Sequence, residues 1–130
     1  MVERIAFKGM LPADATNLSA ADYVKLVKSR QRRWLKRNSL QSRELNEKIE
    51  HVLASGSKGP IKTRTREALI MPSWIGLSFD IYNGKEYQHI EIQPAMLGHR
   101  LGEFVYSTKR VQHSAPGIKA TRGSKFLSQK

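Results

Sequence analysis

The chain has 130 residues, with 23 Lys and Arg against 11 Asp and Glu, a formal net charge of +12 and a sequence pI near 10.3. It contains no cysteine, which excludes disulfides, thiolate metal sites and a cysteine nucleophile. No apolar run approaches the ~18 residues of a membrane-spanning helix, and residues 1–8 lack the apolar segment of a secretory signal. The charge predicts an anionic partner, first of all nucleic acid and second an acidic membrane surface.

Helical periodicity dominates the first part of the chain. Ser19, with Asp22 three residues later, forms a capping-box pattern that predicts a helix start, and apolar residues then recur at helical spacing as far as Leu35. A second helix is predicted at 42–54, and the Gly- and Pro-containing segment 55–60 ends it. Residues 1–54 are therefore predicted to form a helical hairpin.

Positive charge is concentrated in stretches without acidic residues. Residues 25–37 carry seven Lys and Arg, residues 58–66 carry four, and residues 107–130 carry six. Arginine suits phosphate because its planar guanidinium donates two parallel hydrogen bonds. The first stretch therefore predicts a helix face that binds nucleic acid, with a merely solvated face as the alternative. Trp34, within this stretch, is assigned to the core rather than to base stacking.

From residue 61 onward the pattern changes to short strands and turns. Residues 61–66 alternate and predict a short edge strand, and residues 71–74 predict a turn or a single helical turn. A short helix is predicted at 94–101, with Gly102 ending it. Residues 104–106 are predicted to return as a third strand.

The clearest local signal is a β-hairpin around Asn83-Gly84. Alternating runs flank this dipeptide, and Asn-Gly favours a two-residue type I′ turn, which needs a positive φ at both central residues. Such a turn pairs Tyr82 with Lys85 and places six apolar side chains on one face of the sheet. These side chains belong to Ile75, Leu77, Phe79, Ile81, Ile90 and Ile92.

The sequence gives little support to catalysis. The four histidines lie on separate predicted elements, and the patterns HExxH, GxSxG, GxGxxG and the P-loop do not occur. His89 and Glu91 share a strand face, which is interpreted as solvated, and His99 with Glu103 is explained by a local hydrogen bond. We therefore predict no enzyme activity, no metal site and no cofactor. A small hydrolase that uses His89, Glu91 or His99 is kept as an alternative hypothesis.

The composition shifts again after residue 106. Residues 107–130 contain too few large apolar side chains to fold alone, and their charge suits a segment that threads between RNA helices. A disordered, solubilising tail is the alternative. The predicted fold class is therefore α+β: a small sheet with a central hairpin and a short helix, preceded by a basic helical hairpin and followed by an extended C-terminal tail. The predicted divisions are a basic helical region with its linker (1–60), an α+β core (61–106) and the tail (107–130).

Several of these strings together resemble the universal S-nineteen family of small-subunit ribosomal proteins. The resemblance rests on Tyr-Asn-Gly-Lys at 82–85 and on Gly-His-Arg-Leu-Gly-Glu-Phe at 98–104. The strings at 30–37 and 111–126 are similar to the archaeal and eukaryotic branch, whose eukaryotic name is S-fifteen.

This resemblance implies a structural protein of the small-subunit head that supports translation and subunit assembly in the cytoplasm. It implies binding to the 3′ major domain of small-subunit rRNA, next to proteins of the S-thirteen and S-fourteen families and near a bridge to the large subunit. The tail is expected to lie near the decoding region and the tRNAs. A free-standing nucleic-acid-binding module outside the ribosome is the alternative function.

Phosphate neutralisation that follows the shape of the RNA rather than its base sequence is the expected mechanism. The predicted rRNA contacts are Arg32, Arg33, Lys36, Arg37, Lys62, Arg64, Arg66, His99 and Arg100. The predicted contacts of the tail with RNA or tRNA are Lys109, Arg110, His113, Lys119, Arg122 and Lys125.

Overall fold

The computed structural model describes residues 6–37, 40–108, 121 and 123, and within these residues helices precede a small sheet. The helices are α1 (Pro12–Thr16), α2 (Ala20–Leu26), α3 (Ser29–Arg37) and α4 (Leu40–Ser55). The strands are β1 (Ile61–Thr63), β2 (Ser78–Tyr82) and β3 (Tyr87–Glu91). The predicted α+β class is confirmed. Across the described ranges, no helix is both long enough and apolar enough to cross a membrane.

The single helix predicted after Ser19 is in fact two helices. Ser19 caps α2 as expected, because its Oγ accepts from the Asp22 amide at 3.2 Å. Val27 then adopts an extended conformation that ends α2. The side chain of Gln31 accepts from the Lys28 amide at 3.2 Å and so satisfies one of the unpaired donors at the start of α3. The apolar spacing continues across this short break, which is why periodicity alone does not reveal it.

The sheet is mixed, with strand order β1-β2-β3. β1 runs parallel to β2, with Ile61 opposite Phe79, and β2 runs antiparallel to β3, with Phe79 opposite Ile90. β1 lies at the edge, as predicted, although it is shorter than the predicted 61–66. The prediction of a third strand at 104–106 is wrong, because residues 104 and 105 form bends that follow a helical turn and residue 106 is irregular.

The predicted hairpin exists, but its loop has four residues rather than two. Tyr82 pairs with Tyr87 instead of with Lys85. Asn83 does not take the positive φ of a type I′ turn, and its Oδ1 instead accepts from the amides of Lys85 and Glu86 at 2.9 Å each. The register is therefore shifted by two residues. Since side chains alternate with a period of two, the predicted apolar face is retained.

The prediction of a continuous helix at 94–101 is wrong, because two separate 3₁₀ turns at Pro94–Met96 and Leu101–Glu103 take its place. Gly98 separates them with a φ of +79°, and a Cβ on Gly98 would lie 2.9 Å from Cε2 of Phe7. Gly102 lies inside the second turn instead of ending a helix, and there a Cβ would lie 2.9 Å from the Cβ of Arg66. Both glycines are therefore places where the chain packs closely.

One hydrophobic core joins the helices to the sheet. The side chains that are almost fully buried are Tyr23, Phe79, Leu69, Ile70, Ile81, Ile92, Leu101 and Val105. Leu45 and Ile49 of α4 belong to the same core. Trp34 is half-buried and packs against it, as its assignment to the core predicts. The core thereby fixes which face of α3 remains in solvent.

Tyr23 provides a test of how this core is held. Its hydroxyl donates to the Ile70 carbonyl at 2.7 Å and accepts from the Gly98 amide at 3.0 Å, and burial raises the pKa of Tyr23 to about 12. Between pH 10 and 12 the unfolded chain loses this proton first, so the stability due to Tyr23 is fully present below pH 10 and falls through this window.

We expect Tyr23→Phe to lower the free energy of unfolding by about 1–3 kcal/mol at pH 7, because it leaves buried hydrogen-bonding groups unpaired. The difference between wild type and variant should shrink above pH 10. Urea denaturation of both proteins at pH 7, 10 and 11 measures it. A difference that stays constant up to pH 11 would contradict this assignment of the proton.

Candidate nucleic-acid interface

α3 carries the most concentrated positive surface in the described part of the chain. Five exposed cations and no acidic residue lie on it, and this α3 surface consists of Arg30, Arg32, Arg33, Lys36 and Arg37. Among the residues with a described structure, none of these five cations makes an ion pair. Their charge is therefore available to a phosphate backbone. Part of the hydrogen-bonding capacity of Arg32 is used within the protein, since its Nη2 donates to the Val27 carbonyl at 3.1 Å.

The opposite face of α3 holds the helix in place. Trp34 and Leu35 pack against the core, and Nε2 of Gln31 donates to the Gly98 carbonyl at 2.5 Å. A rigid helix presents its cations with less loss of conformational freedom than a mobile segment would. The Gln31 bond also places α3 beside the residues that follow Gly98.

A second basic group lies on the solvent face of the sheet. This sheet-face cluster consists of Lys62, Arg64, Tyr82 and Tyr87. The Cζ of Arg64 lies 5.1 Å from the Tyr82 ring centroid, and the Nζ of Lys62 lies 5.8 Å from the Tyr87 ring centroid. Both distances fit cation–π contacts. The two rings lie 5.2 Å apart. A hydrogen bond to Tyr87 is the main reason that the pKa of Arg64 is raised above its ordinary value.

Arg66 differs from the other predicted contacts because its guanidinium faces backbone carbonyls. Nη1 donates to the Tyr82 carbonyl at 2.9 Å, and Nη2 donates to the carbonyls of Gly102 and Val105. The side chain thus joins the end of β2 to the segment after Leu101. Its role as an rRNA contact stays a prediction, whereas its contacts within the protein give it a structural role.

His99 and Arg100 each have an acidic neighbour. Nδ1 of His99 lies 2.5 Å from Oε2 of Glu103, which is the local hydrogen bond that the sequence predicts. The His99 ring also meets Phe104 edge to face at 5.7 Å. Nη1 of Arg100 lies 3.9 Å from Oε2 of Glu67. These two residues therefore offer less uncompensated charge than the α3 surface does.

A second histidine–carboxylate contact in the described part of the chain joins two strands. Nδ1 of His89 lies 2.9 Å from Oδ1 of Asp80, its partner on β2, and Glu91 lies further along the same exposed face. The periodicity did not indicate Asp80 as the partner, because the predicted register was two residues out. The described residues contain no group of three His, Asp or Glu side chains placed to hold a metal ion.

Part of the predicted site lies outside the described structure, and the sheet-face cluster contains two residues that were not predicted. The six predicted tail contacts, Lys109, Arg110, His113, Lys119, Arg122 and Lys125, lie outside the described residues. Tyr82 and Tyr87 were not predicted as site residues. Their position on the polar face of the hairpin could have indicated them, because residues at alternate positions of paired strands share a face.

Comparison with known proteins gives one consistent result. The family model described as "Ribosomal protein S19" matches residues 33–113. The protein named "Small ribosomal subunit protein uS19" of Metallosphaera sedula is 38% identical over 130 residues, covering 98% of this chain and 93% of the relative. Its namesake from Saccharolobus solfataricus is 41% identical over 126 residues, covering 95% of this chain and 90% of the relative. The chain therefore belongs to the ribosomal protein S19 family, which confirms the resemblance seen in the sequence and the prediction of a structural, non-enzymatic protein.

Proposed function

We propose that this chain is a structural constituent of the small ribosomal subunit, in the cytoplasm, where it binds the 3′ major domain of the rRNA in the subunit head. The observation that carries the proposal is the α3 surface, with its exposed cations and no acidic residue. The names of the two archaeal relatives support the assignment to the small subunit.

In this proposal the protein binds rRNA through electrostatic contacts that follow the shape of the RNA. Arg33, Lys36 and Arg37 contact phosphates, and each neutralised phosphate releases counterions and contributes about 0.7–0.9 to the slope of log affinity against log salt concentration. Since phosphates carry no sequence information, such contacts fix the position and orientation of the protein on folded RNA. The sheet-face cluster adds cations that are held over tyrosine rings.

We further propose that residues 107–130 extend from the core towards the decoding region and the tRNAs. Val105 is fully buried whereas residues 106–108 are exposed, which supports a boundary near 106, and we keep the predicted division at 60 as part of the same proposal. Neighbours of the S-thirteen and S-fourteen families and a bridge to the large subunit belong to the same proposal. A photoreactive group at His113 that never cross-links to tRNA in translating ribosomes would count against this placement of the tail.

Sedimentation separates the proposed function from a free-standing nucleic-acid-binding module. A tagged protein should migrate with small subunits in a sucrose gradient at moderate salt and should stay with them when unbound RNA is digested. A protein that remains at the top of the gradient while small subunits migrate would favour the module outside the ribosome.

A further inference from the structure

We propose that the pocket between α4 and β1 receives one unpaired RNA base, stacked on the ring of Tyr87. The inference rests on the proposed function and adds a ligand class to it. An unpaired base is a different ligand from a phosphate backbone, because it offers a flat aromatic face and a hydrogen-bonding edge.

The pocket has the size and position for one base. Its volume is about 290 Å³, and the residues used here line it from two sides. The side chains of Gln41, Glu44 and Lys48 lie on the α4 wall, and those of Lys62 and Arg64 lie on the β1 side with the Tyr87 ring. The pocket therefore adjoins the sheet-face cluster.

Tyr87 is already oriented for stacking. Arg64 lines the pocket beside it, the Tyr87 ring lies 5.8 Å from the Nζ of Lys62, and Tyr82 packs against it at 5.2 Å between ring centroids. Even so, Tyr87 is 40% exposed, a large value for an aromatic residue held by three neighbours. An aromatic ring that is fixed on one side and open on the other can stack with a base without losing much conformational freedom.

The polar groups around the ring match the parts of a nucleotide. Lys48, Lys62 and Arg64 supply positive charge for the phosphates on either side of the base. The amide of Gln41 can donate and accept at a base edge, and the carboxylate of Glu44 can accept from an exocyclic amino group. A site for phosphate alone would not place a carboxylate on its wall, since like charges repel. The presence of Glu44 therefore favours a base over a bare phosphate.

Chemical probing of assembled small subunits tests the proposal. Subunits that contain wild type, Tyr87→Phe, Tyr87→Ala or Tyr106→Ala would be treated with dimethyl sulfate and with a carbodiimide, which modify the edges of unpaired bases. Tyr106→Ala is the matched control, because Tyr106 is 76% exposed and lies outside the pocket. Tyr87→Phe keeps the flat ring and removes only the hydroxyl.

At least one unpaired base should be protected in wild type, Tyr87→Phe and Tyr106→Ala and become several-fold more reactive in Tyr87→Ala. Loss of a stacking partner lowers the equilibrium constant for docking a base by roughly 5- to 150-fold. If Tyr87→Ala does not enter subunits, Tyr87→Leu replaces it, since leucine keeps apolar bulk without a flat face, and the same rise is expected.

Identical reactivities in the Tyr87→Ala or Tyr87→Leu subunits and in the Tyr106→Ala subunits would overturn the inference. The proposed function would then still stand, because the subunits would contain the protein. Absence of the wild-type chain from small subunits would instead be a failure of the proposed function.

Discussion

Replacement of Arg33, Lys36 and Arg37 by alanine should weaken binding to the 3′ major domain of small-subunit rRNA by about 100-fold near 0.15 M salt. The plot of log affinity against log salt concentration has a negative slope, and the loss of three phosphate contacts should make this slope less steep by about 2–3. Filter binding or fluorescence anisotropy at several salt concentrations measures both quantities. The three side chains are exposed and make no ion pair within the described structure, so the fold itself should be unaffected.

The matched control removes the same amount of charge from other elements. Lys25, Arg43 and Lys58 are exposed and lie outside the α3 surface and the sheet-face cluster, on α2, on α4 and in the linker. Their triple alanine variant should weaken binding by less than about tenfold, because only long-range attraction is lost. Equal losses in the two triple variants would show that net charge, rather than the α3 surface, determines affinity.

Arg66→Ala should have the largest effect on stability among the basic residues, lowering the free energy of unfolding by about 3 kcal/mol. The guanidinium donates to the carbonyls of Tyr82, Gly102 and Val105. A hydrogen bond from a charged group contributes about 1.5–3 kcal/mol, and because these three bonds share one side chain, their contributions do not add in full. Arg66→Lys should lose about half as much, because an ammonium group cannot reach all three carbonyls in one geometry.

Urea denaturation of the free protein distinguishes this structural role from RNA binding. The alanine variant of Arg66 should unfold at a lower urea concentration, whereas the triple variant of α3 should unfold within about 0.5 kcal/mol of wild type. An Arg66→Ala protein that unfolds like wild type but binds rRNA more weakly would make Arg66 a direct RNA contact after all.

Arg66 also shows where prediction from the sequence stops. Basic residues within one short stretch are alike in sequence, yet Arg64 lies exposed over Tyr82 while Arg66 faces inward. The difference depends on carbonyls that are 16, 36 and 39 residues away along the chain. Charge in a sequence therefore predicts the anionic partner but does not separate RNA contacts from structural ones.

Short-range patterns were reliable where one residue type determines the geometry. The cap at Ser19, the single turn at Pro72–Trp74 and the apolar face of the hairpin all appear in the structure. The register failed because the side chain of Asn83 closes a longer loop, and the break after Val27 was missed because Gln31 provides a cap from inside the next helix. Such side-chain hydrogen bonds to the backbone are not visible in hydrophobic periodicity.

The string at 98–104, one of the two on which the resemblance to the family rests, has a mainly architectural role in this structure. Gly98 and Gly102 allow close packing against Phe7 and Arg66, and Leu101 is fully buried. His99 is paired with Glu103. The residues of this string therefore largely hold the fold together, and we propose the cations of α3 as the RNA contacts.

If α3 lies against the 3′ major domain of small-subunit rRNA, as we propose, directed hydroxyl-radical probing from α3 should detect that contact. Because the chain has no cysteine, Ser29→Cys creates a single attachment site for an iron chelate at the exposed start of α3. In small subunits assembled with this protein, we predict cleavage of the rRNA backbone within the 3′ major domain, above the background of the cysteine-free parent. Cleavage confined to another rRNA domain, or none above that background, would show that α3 does not lie against the 3′ major domain.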